Sequence, residues 1–409
     1  MDTSETGTVG RTHWLSRERL RVYPRILLVM YAVAALGYAL ANLDQLRATA
    51  NPLGSDFMAF YTGSAMALAG QASQVFDLEA FLRAQRTLFP GFEGVGYGWF
   101  YPPTFLLLVL PLALLPYLLS LLVFSAGGVA AWLVALRRAI GRTGAGWLIA
   151  AFPGLWICLV QGQNGLLTAA LAAGSLLLLR RSPTLSGVLL GLLAIKPHLA
   201  VLFAVALLAA RAWRTLWVAA ATAVAFLGAS LVVLGRQTFT AWLDSLQVAR
   251  IATEEGLLPW SKMPSPFAML RLVGVPVPWA YVGHGVVAVA AGIAVWLVWR
   301  RTDSLALRGA ALMAATFLAN PYAFDYDLAW LAFPIAWLAG YGLEHGWRRG
   351  DREVLVAAWI LPAVSTALAS VTHVLVAPLV LGALVWVALR RVWSPAGPSG
   401  RFAGPEGRC

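Results

Sequence analysis

Charge is scarce in this sequence: 12% of its 409 residues are Asp, Glu, Lys or Arg, against about 25% in an average soluble protein. A water-soluble fold is a poor fit to that composition. Cysteine is nearly missing, with Cys158 inside an apolar run and Cys409 at the end, too few and too badly placed for a disulfide framework or a zinc site. There is no Walker A sequence, no Ser-His-Asp arrangement and no H-E-x-x-H. Nucleotide-driven transport, serine hydrolysis and zinc proteolysis therefore have no support. His284, His345 and His373 are scattered, and no repeat of fixed period is visible.

Apolar sequence is what the chain has in quantity: 60% of it is hydrophobic and its mean hydropathy is +0.74. Apolar runs long enough for a hydrocarbon core of roughly 30 Å recur from Tyr31 to Leu389. Spans are expected at about 26–43, 104–136 (interrupted by Pro111 and Pro116), 146–160, 165–179, 184–195, 198–210, 215–234, 278–299, 305–319, 328–342, 354–371 and 373–390. The fold class is an all-α integral membrane protein, a polytopic helical bundle of about 10–13 membrane segments. Residues 1–25 are expected as a cytoplasmic N-terminal segment, 26–391 as one membrane domain and 392–409 as a disordered cytoplasmic tail rich in Pro and Gly. The first run lacks an A-x-A cleavage site and is followed by more spans, so it is expected to stay as an anchor.

The formal net charge of +12 would point to nucleic acid in a soluble protein; here Arg clusters between apolar runs make it a topology signal. Arg17 to Arg25, Arg137/Arg138/Arg142, Arg180/Arg181, Arg211/Arg214, Arg300/Arg301, Arg348/Arg349/Arg352 and Arg390/Arg391 all fit on one side, the cytoplasm. The outer side receives Asp44 to Pro103, Gln161 to Asn164, Lys196 to His198, Gly235 to Val277 and Asn320 to Asp327. In the first of these, Phe57 to Leu68 and Leu78 to Leu88 have the apolar spacing of helices lying in the interface, where they can shape a groove for a lipid-linked ligand.

The unusual polar residues collect on that outer side. Asp56 precedes an apolar helix: it is an N-cap, or a general base whose proton affinity is raised by partial desolvation. The aromatic segment Tyr97 to Pro103 is a belt at the membrane boundary or a platform for a sugar ring. Gln161, Gln163 and Asn164 form a polar turn or bind sugar hydroxyls. Lys196, one of two lysines in the chain, sits in an apolar stretch with Pro197 and His198. A cation there is costly unless it snorkels to the interface, and a phosphate is an attractive partner; Pro197 opens the helix and frees backbone groups for a ligand. Asp325 and Asp327 belong to a solvated loop or to a cation site that lacks a third ligand. Glu254 and Glu255 read as a wet face.

Taken in order, S-D-F-x-x-F-Y-x-G-S-A-x-A-L-x-x-G (Ser55 to Gly70), F-Y-P-P (Phe100 to Pro103), G-Q-N-G-L-L (Gly162 to Leu167), G-L-L-A-I-K-P-H (Gly191 to His198) and N-P-Y-x-x-D-Y-D (Asn320 to Asp327) resemble glycosyltransferase family 87, membrane transferases of the GT-C superfamily. The resemblance runs from about residue 50 to residue 345. It implies a GT-C-type bundle and a donor whose sugar, typically mannose, is joined through phosphate to a polyprenol. It implies inverting transfer to a lipid-linked or envelope glycan acceptor on the outer side of the cell membrane; no cofactor is expected, and the mechanism requires no metal. Asp56 would be the base and Lys196 with His198 would hold the donor phosphate. Tyr61, Tyr101, Gln163, Asn164, Asp325, Tyr326 and Asp327 would contact sugar or acceptor. Tyr326 and Asp327 stand where some members carry the histidine pair of S-P-x-S-W-x-H-H. A phosphate leaving group needs no general acid, so one carboxylate and a cationic site suffice. A transporter or flippase of a lipid-linked sugar, or a non-catalytic scaffold, is the alternative; the former needs polar residues along a path through the membrane.

Overall fold

The computed structural model of the chain describes residues 14–41, 54–90, 96–141 and 145–393, and among them every regular element is helical. α1 (Arg17–Ala41), α2 (Phe57–Leu68) and α3 (Leu78–Leu88) lead into α4 (Pro103–Val109) and α5 (Tyr117–Ile140). Five short helices follow: α6 (Gly146–Ala150), α7 (Pro153–Gln161), α8 (Gly165–Leu178), α9 (Pro183–Gly191) and α10 (Val201–Ala209). α11 (Trp213–Leu234), α12 (Arg236–Glu254) and α13 (Pro266–Leu272) precede α14 (Val277–Arg301), α15 (Leu305–Leu318), α16 (Ala332–His345), α17 (Asp351–Thr372) and α18 (Ala377–Trp393). α1, α5, α11, α14 and α17 are long and apolar enough to cross a membrane, and seven shorter apolar segments lie between them. The chain is an all-α polytopic membrane bundle.

Proline and glycine set the breaks. Pro153 and Pro183 occupy the first turn of α7 and α9, where a missing N–H costs nothing. Pro197 begins a 3-10 turn, Pro197–Ala200, that separates α9 from α10. The run expected at 104–136 is two elements, because Pro116 starts α5 afresh after the 3-10 turn Leu110–Leu114. Gly141 and Gly235, at φ 63° and 84°, end α5 and α11.

Some boundaries differ from expectation. α1 begins at Arg17 and passes through Pro24, so part of the segment 1–25 is helix. α18 runs on to Trp393. Residues 1–13, 42–53, 91–95, 142–144 and 394–409 lie outside the described residues, and with them most of the tail, Asp44, Arg142 and Cys409. α3 has the amphipathic character expected of it, with Phe81 and Gln85 buried and Glu79 and Arg83 outside. α2 is different: eight of its twelve residues are buried, because its apolar residues run all round and pack into an aromatic core with Phe81, Trp99 and Phe105.

The main core is built around α15, of whose fourteen residues eleven are buried. Its small residues let neighbours approach closely, as in other membrane bundles; a Cβ on Gly309 would collide with the ring of Trp337 from α16. α8 and α15, fourteen residues each, run about 21 Å, short of a full hydrocarbon core. At one end of both lie Arg180, Asp303 and Arg308, joined by ion pairs of 2.9 Å; at the other lie Asn164 and Asn320. The basic end is also pinned by Asp351 (1% exposed), which accepts from both Arg390 and Arg391.

Removing a partner from a buried ion pair leaves an uncompensated charge, so Asp351→Ala should lower stability to chemical unfolding in detergent by about 3 kcal/mol. Glu344→Ala, at a surface position, should change it by no more than about 0.5 kcal/mol.

Candidate active site

The site begins at the turn between α7 and α8. Gly162 ends α7 in the left-handed conformation, and a Cβ there would stand 2.7 Å from Cβ of Phe57. Glycine is required on both counts. The close approach lets the backbone N–H of Asp56 donate to the carbonyl of Gln161 at 3.0 Å. Gln163 Nε2 then donates to Asp56 Oδ2 at 2.8 Å, and Ser55 Oγ to Oδ1 at 3.3 Å. Asp56 stands at the N-cap position of α2, yet its side chain caps nothing. Its carboxylate faces the turn instead, with acceptor capacity to spare.

From Asp56 a chain of polar contacts leads inward. Gln163 Oε1 accepts from Tyr101 OH at 3.0 Å, and Tyr101 OH lies 3.5 Å from Tyr326 OH. Both rings flank Lys196, whose ammonium sits 5.6 Å from the centroid of Tyr101 and 4.5 Å from that of Tyr326. Lys196 Nζ donates to Asp327 Oδ1 at 2.7 Å, with side-chain exposures of 4% and 1%. The segment Asp325–Leu331 that carries Tyr326 and Asp327 is a 3-10 helix with every residue buried, not a solvated loop. Trp132 donates to its Ala329 carbonyl, and Trp330 donates to Thr168 on α8. Sequence residues 56, 101, 163, 196 and 326–327 are thus brought together.

Asp325 lies on the same short helix but faces a different way. It accepts from Gln161 Nε2 (3.4 Å), Thr366 Oγ1 of α17 (3.2 Å) and the backbone N–H of Tyr326 (2.9 Å). Asp325 and Asp327 therefore do not form a two-carboxylate clamp. Among the described residues no group of three or more His, Cys, Asp or Glu side chains has the arrangement of a metal site.

Sequence reasoning passed over Lys262, the other lysine. It ends the 3-10 turn Trp260–Lys262, which packs against α17 and is held by Trp260 Nε1 donating to Thr253 O at 2.6 Å. Among the described residues its ammonium makes no hydrogen bond or ion pair, yet its positive field acts on both Asp56 and Asp325. Burial pushes the Asp56 carboxyl above the usual carboxylate range, against the hydrogen bond from Gln163 and the field of Lys262. The same holds for Asp325, where the field of Lys262 is the largest opposing effect. The rarity of lysine in an Arg-rich chain was the available signal.

Other expected site residues fall differently. Tyr61 is outside the cluster: its hydroxyl donates to Leu115 O at 3.1 Å, and its ring packs edge-on against Phe89 and Tyr117. Successive residues of a helix point about 100° apart, and Phe60, not Tyr61, meets Tyr101. Trp99 and Phe105 are core residues, so of the aromatic segment Tyr101 carries the polar contact. Asn164 (1% exposed) has neither amide atom hydrogen-bonded, and His198 Nε2 is buried without a partner in the field of Lys196. Such groups are costly when left unpaired. Glu254 is committed to Tyr281 OH at 3.0 Å.

A Cβ on Gly165 would collide with the carbonyl oxygen of Tyr326, whereas on Gly174 it would meet only Leu189 Cδ1, at 3.1 Å. Gly165→Ala should therefore cost about 1–3 kcal/mol of stability by overpacking, and Gly174→Ala measurably less, in the same unfolding assay. Residues 99–321 match the family model described as Glycosyltransferase family 87. No curated protein and no solved structure matches the chain.

Proposed function

The chain belongs to glycosyltransferase family 87, whose model spans more than half of its length, and on that premise we propose that it transfers a hexose, with mannose the first candidate, from a polyprenyl-phosphate donor to a lipid-linked or envelope glycan acceptor at the outer face of the cell membrane. The observation that carries the proposal is the Asp56 carboxylate: it is held by Gln163, unused in helix capping, and lies in the positive field of Lys262.

The residues divide the chemistry among them. Asp56 takes the proton of the acceptor hydroxyl, and the acceptor oxygen attacks the anomeric carbon. The bond from that carbon to the phosphate oxygen breaks, and polyprenyl phosphate leaves with the electron pair. One displacement gives inversion. Asp56 is preferred to Asp325 as base because Asp325 already accepts from three donors and is 5% exposed. A phosphate leaving group calls for positive charge. Lys196 was expected to supply it, but its charge is matched by Asp327; the net cation of the site is Lys262. Lys196 and the rings of Tyr101 and Tyr326 then form the floor, with His198 Nε2 free to donate to a phosphate oxygen. Gln163, Asn164, Tyr101 and Tyr326 face the sugar.

Asp56→Asn should reduce transfer of radiolabelled hexose by at least about 10²-fold while the purified protein keeps its elution volume and helical content. Near-normal turnover would remove Asp56 from the mechanism. A base must be ionised to act, and burial raises the proton affinity of Asp56, so kcat/KM should climb with unit slope as pH rises through a value above the usual carboxylate range. That limb should be missing from the residual rate of Asp56→Asn. Lys262→Gln should raise the donor KM by about tenfold or more, the worth of one charge-assisted contact, and leave the acceptor KM unchanged.

A further inference from the structure

A second site lies at the opposite, basic end of the bundle. A cavity of about 960 Å³ runs between α5, α8, α9 and α15, open on one side where Val134 is 51% exposed. Its walls are the apolar faces of α5 and α8, from Leu167 in the first turn of α8 to Leu178 in the last. At 1.5 Å per residue this is roughly 17 Å, close to half of a hydrocarbon core about 30 Å thick. The groove has the depth of one leaflet.

Its mouth is charged. Arg138, Arg180, Arg181 and Arg308 line it together with a single acid, Asp303. Asp303 Oδ1 is shared by Arg180 and Arg308 at 2.9 Å each, and Arg308 also donates to Trp299 O at 2.7 Å. Arg138 and Arg181 make no hydrogen bond or ion pair with any described residue, and Arg308 Nε is buried without a partner. Four arginines against one aspartate leave strong positive charge at the rim of an apolar slot. A phosphate ester of a lipid meets both requirements at once, while a zwitterionic headgroup brings its own cation into the cluster.

We infer that this groove binds an anionic phospholipid of the adjoining leaflet, with one acyl chain along α8 and the headgroup phosphate on Arg138 and Arg181. The site is independent of the transfer reaction and goes beyond it. A polyprenyl tail reaching down from the Asp56 site is the rival occupant; it would carry no phosphate to the arginines.

The test uses the purified, delipidated full-length chain in detergent, titrated with phosphatidylglycerol or with phosphatidylcholine of the same acyl chains and followed by native mass spectrometry. One phosphatidylglycerol should bind about tenfold or more tightly than phosphatidylcholine, as expected for two arginines beside an anionic headgroup. Inorganic phosphate should not compete. The Arg138→Gln/Arg181→Gln double variant should lose the preference, Ala131→Phe, which fills the groove, should weaken both lipids, and Arg211→Gln/Arg214→Gln, at a different basic cluster, should behave as wild type. Equal affinity of the wild-type chain for the two lipids overturns the proposal without any variant. So does an equal loss in the Arg211/Arg214 control, or unchanged binding after Ala131→Phe.

Discussion

Two opposite charges placed 2.7 Å apart and almost wholly out of water, Lys196 and Asp327, are the constraint on which the rest of the polar cluster depends. Either group alone in that position would cost several kcal/mol, so the two segments that carry them must stay in register. Lys196 sits at the break that Pro197 makes between α9 and α10. Asp327 sits on a 3-10 helix clamped by Trp132 and Trp330, and its second carboxylate oxygen accepts from the backbone N–H of Phe324. With the pair fixed, the rings of Tyr101 and Tyr326 have a cation to pack on. The Tyr101 hydroxyl then orients Gln163, and Gln163 orients Asp56. Geometry at the Asp56 carboxylate is inherited from an ion pair that no substrate need touch.

Neutralising Lys196 has a second consequence. With Lys196 paired, Lys262 is the largest source of positive field at both Asp56 and Asp325, ahead of Lys196 at Asp56. Two effects act on Asp56 in opposition. Burial raises its proton affinity, while the hydrogen bond from Gln163 and the field of Lys262 oppose the rise. The same cation is the one that the proposed mechanism assigns to the leaving phosphate.

Much of this was legible in sequence, and the misses have physical causes. Helix positions followed from apolar run lengths and prolines, and the convergence of Asp56, Tyr101, Gln163, Lys196 and Tyr326 was anticipated through motif order. The N-cap alternative for Asp56 could not be separated from a catalytic one locally, since both put a carboxylate before a helix; only the direction of the side chain, towards Gln163, distinguishes them. Asp327 looked like a loop acid because pairing across 131 residues leaves no local trace. Tyr61 and Phe60 are neighbours in one motif, and which of them faces Tyr101 depends on the rotation of α2, fixed by burial all round that helix. Lys262 carries no local motif, and its field reaches Asp56 and Asp325 only through the fold.

The central claim is that Asp56 and Lys262 bracket a single phosphosugar. It is tested most directly by an experimental structure of the wild-type chain with a polyprenyl-phosphate hexose analogue whose phosphate ester is replaced by a phosphonate. The account predicts the phosphonate within ion-pair distance of Lys262 Nζ and the anomeric carbon on the side of the Asp56 carboxylate, with the Lys196–Asp327 pair intact. A phosphonate seated on Lys196 with Asp327 displaced, or a sugar remote from Asp56, would contradict it.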